Sequence, residues 1–74
     1  MSRQEVERLR RRCDQYATVD EIAADPELTR PQKRWMLRRV ARKLRRQLWW
    51  PDPLSWAAIV DVLRHIRALR AELR

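Results

Sequence analysis

Seventy-four residues with no Gly and a single Cys make one small domain with a modest core. They exclude glycine-turned hairpins, an intrachain disulfide framework and a thiolate zinc cluster. A net charge of +8 calls for a polyanion or an acidic surface as partner, while no apolar run reaches the ~18–20 residues of a membrane-spanning helix and no basic-then-apolar leader opens the chain, so a cytoplasmic protein is expected.

Composition favours helix, and the apolar spacing predicts four helices over 3–17, 19–24, 30–49 and 53–73. The fold class expected is all-α, a compact bundle of three longer helices and one short one, forming a single domain over 1–74. The first helix opens on Ser2 with Glu5, a capping-box pattern. Val6, Leu9, Cys13 and Tyr16 form its apolar seam, narrow enough for a homodimer contact.

Thr18 with Glu21 repeats the cap and starts the short helix, with Val19, Ile22 and Ala23 inward. Without Pro or Gly between them, the first two helices could also be one bent helix. Asp25 before Pro26 avoids the α region and stops the second.

Thr29 with Gln32 caps the third helix, and Pro31 is tolerated in its first turn. Leu37, Val40, Ala41, Leu44 and Leu48 share one face, with Trp35, Arg39, Arg42 and Arg46 opposite. Pro51 ends this helix, and Asp52 caps the fourth with Pro53 at its first position. Trp56, Ile59, Val62, Leu63, Ile66, Leu69 and Leu73 form the apolar arc of the fourth helix. Arg70 falls within that arc, so it must snorkel or meet an acid.

Charge is segregated along the chain. Residues 14–27 hold Asp14, Asp20, Glu21, Asp25 and Glu27 and no cation. Residues 30–46 hold nine cations and no anion. Sixteen of the eighteen cations are Arg, whose planar fork suits phosphate or carboxylate. The plain reading is a solvated face, with the five acids folding back to neutralise it. Against an idle face, Arg pairs at i,i+4 repel and cost stability.

Glu21-Ile22-Ala23, then Leu28-Thr29-Arg30, then Met36-Leu37-Arg38-Arg39-Val40 resembles a helix-turn-helix DNA-binding unit over residues 19–44. Leu37 and Val40 fall eight and eleven places after the Thr29 cap, as in that family. Glu27 stands where the family usually has a turn Gly, Pro26 replaces an apolar contact and Lys33 an inward apolar residue. The resemblance implies Arg30, Arg34 and Trp35 at base-facing positions, and Arg38, Arg42 and Arg46 along phosphates. Trp35 suits stacking on an unpaired base better than reading a groove.

The candidate binding residues are therefore Arg30, Arg34, Trp35, Arg38, Arg39, Arg42 and Arg46, with Trp49 and Trp50 as possible partner anchors. Two functions compete. One is a small regulator binding nucleic acid through residues 30–46, with affinity falling on the order of a thousandfold from 50 to 200 mM salt for six or more phosphate contacts. The other is a protein-interaction module, an inhibitor or adaptor of the phage or mobile-element type, docking this helix on an acidic or nucleic-acid-binding surface. Membrane attachment is disfavoured, because the apolar stripes are what a bundle core needs. His65 stands one turn from Asp61, Cys13 packs in its seam, and no ligand cluster, nucleophile pair or phosphate loop appears. Neither an enzyme nor a bound metal or cofactor is expected.

Overall fold

A computed structural model describes the backbone of residues 2–48 and 53–74, and side chains at 2–48 and 56–74. It contains α1 (Arg3–Cys13), α2 (Val19–Ala24), α3 (Arg30–Gln47) and α4 (Pro53–Glu72). The all-α expectation holds, and Ser2, Thr18 and Thr29 each cap a helix start, with the reciprocal half of the capping box formed only at Thr29. Ser2 Oγ accepts from the Glu5 N–H at 3.2 Å and Thr18 Oγ1 from the Glu21 N–H at 3.4 Å. Thr29 and Gln32 form a reciprocal capping box, with bonds of 3.3 and 2.9 Å.

α1 ends at Cys13, four residues before the expected Ala17. The Thr18 cap requires an extended backbone, and Thr18 has φ −135° and ψ 161°. Glu21 also takes the Ala17 N–H at 2.7 Å, so that donor cannot serve α1. One bent helix is thereby excluded. Asp25 is extended before Pro26, as a residue preceding proline should be. α3 ends at Gln47, with Leu48 as its cap. The proposed anchors Trp49 and Trp50, and the expected Pro51 and Asp52 signals, lie outside the described residues.

α3 is the central helix and touches each of the other three. Leu9 of α1, Ile22 of α2, Leu28, Met36, Leu37 and Ala41 of α3 and its approach, and Ile66 of α4 form the core. Met36 is fully buried although it lies about 100° from Leu37. Neighbours on several flanks bury more of α3 than one stripe. Gln32 Nε2 donates to Glu5 Oε1 at 3.0 Å and pins the start of α3 to α1.

α4 packs through Ile59, Leu63, Ile66, Leu69 and Leu73. Trp56 and Val62 are instead 40% and 37% exposed. Both sit about 60° off the line through Ile59 and Ile66, one on each side, so a single supporting helix does not cover them. The accessible surface of 6056 Å² exceeds the roughly 4,900 Å² typical of a monomer of this mass. The body measures 37 × 24 × 19 Å.

Candidate nucleic-acid interface

The cations of α3 include a ladder, Arg30, Arg34, Arg38, Arg42 and Arg46, at four-residue steps. Four residues turn the helix by about 400°, so the ladder drifts by about 40° per step around α3. All five residues are exposed. Among the described residues no cation of α3 forms an ion pair with a carboxylate.

Four of the five acids of residues 14–27 are engaged elsewhere; the fifth, Asp14, is exposed and lies beside the cations of α3. Arg12 of α1 donates to Asp25 Oδ2 at 2.9 Å and also to Glu27. Tyr16 accepts from Arg12 Nε at 2.9 Å and donates its hydroxyl proton to Asp25. Asp25 additionally accepts the Glu27 N–H at 2.9 Å. These bonds, from Tyr16, the Glu27 backbone and Arg12 in that order, lower the Asp25 pKa to about 2. The Arg12 guanidinium is held protonated even more firmly than usual, mainly by Glu27, then Tyr16 and Asp25. Burial, together with the bond to Asp25, raises the Tyr16 pKa. Glu21 serves the turn before α2. His65 lies 2.6 Å from Asp20, not paired with Asp61 one turn away as its spacing suggests. Helix packing brings α4 to α2 there, which no local pattern encodes.

Trp35 departs from the expected solvent position: it is half-buried and packs on the core. The end of α1, with Cys13 and Tyr16, closes over this flank of α3. Between them runs a groove of about 740 Å³, walled by Cys13, Asp14, Tyr16, Trp35, Arg38, Arg39, Val40, Arg42, Lys43 and Arg46. The Arg39 guanidinium stands over the Trp35 ring, 5.8 Å from its centroid. Burial raises the Cys13 thiol pKa, partly opposed by Arg39.

Five of the sequence candidates, Trp35, Arg38, Arg39, Arg42 and Arg46, therefore share one groove. Arg30 and Arg34 are not among its walls, although both are exposed. Sequence inspection overlooked Lys43 as a wall residue; its four-residue spacing from Arg39 was the available signal. The contributions of Cys13, Asp14 and Tyr16 depend on where α1 stops, and had no such signal.

Cations and one aromatic ring around an open groove can hold a phosphodiester chain and stack a planar base. Among the described residues no group of three or more His, Cys, Asp or Glu side chains could hold a metal ion. Among them, too, no helix is long and apolar enough to cross a membrane. No protein-family model, curated protein or solved structure matches the chain.

Proposed function

We propose that this chain is a non-catalytic, cytoplasmic nucleic-acid-binding regulator that works through the exposed arc of α3. Arg38, Arg42 and Arg46 contact successive phosphates, and an unpaired base enters the groove against Trp35. The observation that carries this reading is the lack of ion pairing on α3 among the described residues, while four of the five neighbouring acids are committed to Arg12, His65 and the turn before α2 and only Asp14 borders the groove. A helix bearing that much like charge repels itself, and phosphates would relieve the repulsion. Trp35 in a groove favours single-stranded or locally unpaired nucleic acid over the duplex reading implied by the helix-turn-helix resemblance. In that arrangement its ring would face base edges in a major groove, a poor use of an indole.

The test is fluorescence anisotropy of labelled single-stranded and duplex oligonucleotides at 50 and 200 mM salt. Tighter binding to the single strand is expected, weakening about twentyfold over that range for three contacts. Absence of binding to both forms, or binding indifferent to salt, overturns it. An acidic protein that co-purifies stoichiometrically and survives nuclease would place the same face on a protein partner instead.

A further inference from the structure

Residues 53–63 open α4 with one charged side chain, Asp61, and no cation, in a chain of net charge +8. Apolar residues stand on every flank of this half, with Ile59 and Leu63 inward and Ala57, Ala58 and Val60 on the other sides. A helix apolar all round is normally covered all round, yet α4 packs chiefly on α3. Val60 is 37% exposed, and Ala57, Ala58 and Ala68 are exposed too. Ala57, Asp61, Arg64 and Ala68 recur at steps of four, three and four. All four lie within about 30° of the direction opposite Ile59 and Ile66, so they form one outward line. Among the described residues neither Asp61 nor Arg64 forms an ion pair. Read in either direction the line runs small, charged, charged, small, and its two charges are opposite in sign.

We propose that this outward face of α4 is a self-association surface, on which a second copy of the chain lays its own α4 antiparallel. The twofold axis crosses the helix at the level of Val62 and Leu63. A contact of that symmetry is made twice, so Asp61 meets Arg64 of the second copy while Arg64 meets Asp61 of the second copy. Ala57 and Ala68 oppose each other in the same way, and small side chains let two helix axes approach closely. Val60 comes within a turn of Arg67 of the second copy, whose aliphatic stem can cover it. A parallel arrangement would set Asp61 on Asp61 and Arg64 on Arg64, so charge selects the antiparallel one. The seam of α1 cannot serve instead, because Leu9, Cys13 and Tyr16 are taken up by the core. The cation-free half of α4 faces away from α3, which keeps the two basic helices of a dimer apart. The proposal goes beyond the nucleic-acid reading and does not rest on it.

Sedimentation velocity of the full chain, stripped of nucleic acid by nuclease and high salt, tests this across a concentration series. A monomer–dimer equilibrium with a Kd of micromolar order is expected, since one helix pair buries less than the roughly 1,200 Å² of a stable interface. Asp61→Arg and Arg64→Asp each set like charges face to face twice. Each should weaken the dimer about tenfold or more, with the helical circular dichroism signal unchanged. The combined variant D61R/R64D re-forms both pairs with their signs exchanged and should restore wild-type association. A wild type that stays monomeric into the millimolar range overturns the proposal, whatever else then proves to cover the face. A dimer indifferent to both single variants overturns it, as does a combined variant as weak as the single ones. A dimer that forms only when oligonucleotide is added overturns it as well. Association without nucleic acid, with the charge-exchange rescue, upholds it even where no oligonucleotide binds, so the two readings fail separately.

Discussion

The Arg12 guanidinium meets the Asp25 carboxylate at 2.9 Å, bridging α1 to the turn that precedes α3. The contact fastens α1 across thirteen residues of sequence. It also commits Asp25 to α1, so this carboxylate forms no ion pair with the cations of α3.

Acid titration should report this contact. The folded-state pKa of Asp25 is lowered from 3.8 to about 2. A depressed carboxylate stabilises fully above its unfolded value, and the contribution is lost as pH falls through the folded one. Stability should therefore decline from about pH 4 toward pH 2. In Asp25→Asn this part of the decline should be absent, as read from urea midpoints at half-unit pH intervals. A decline of the same size in Asp25→Asn would show that other carboxylates govern the acid limb.

Leu37 is fully buried where α3 meets the rest of the core. Leu37→Ala should cost about 2–5 kcal/mol, the range for deleting a packed aliphatic side chain. In so small a domain that approaches the whole stability. Loss of the cooperative urea transition is the expected result, whereas Leu37→Met, close in volume, should retain it.

Arg42 lies between Arg38 and Arg46 on the ladder. Arg42→Gln removes two like-charge i,i+4 neighbours, each worth about 0.2–0.5 kcal/mol. The variant should be more stable by a few tenths to ~1 kcal/mol. It should also bind single strands more weakly, with a salt slope smaller by about 0.7. Opposite signs for stability and affinity would mark the residue as kept for its partner; a neutral effect on binding would remove it from the interface.

Trp35 lines the groove and is half-buried against the core. Trp35→Leu preserves apolar bulk on the core side and removes the stacking surface. Affinity for a single strand should drop by the ~1–3 kcal/mol of one stacked base, about 5- to 150-fold, with the helical circular dichroism signal retained. If affinity is unchanged, Trp35 serves the core alone.

Cys13 borders the same groove. Burial raises its thiol pKa, so alkylation should be slow at neutral pH, because the thiolate is the nucleophile. A bound oligonucleotide should slow it further. Protection by an oligonucleotide that is equal in wild type and Trp35→Leu at saturation would place the strand over the groove independently of stacking.

The sequence by itself determined the helices and their starts. Ser2, Thr18 and Thr29 act on N–H groups three residues away, and Asp25–Pro26 acts on its own backbone. Such signals are complete within one turn of chain. The inward stripe of α3 through Leu37 and Ala41 was legible for the same reason, as was the conflict at Arg70, a cation within the apolar arc of α4. Only the tertiary structure decided which parts of each helix remain open. α1 stops at Cys13 because Thr18 and Glu21 require the next residues, and that stop makes one wall of the groove over Trp35. Trp56 is exposed because α3 covers only the centre of α4's arc. The five acids could have masked the basic helix by composition alone. The fold placed Arg12 and His65 within reach of three of them and used Glu21 in a turn. Charge pairing acts over a few ångströms, so the partner of an acid is chosen by which helix lies beside it, and sequence distance does not encode that.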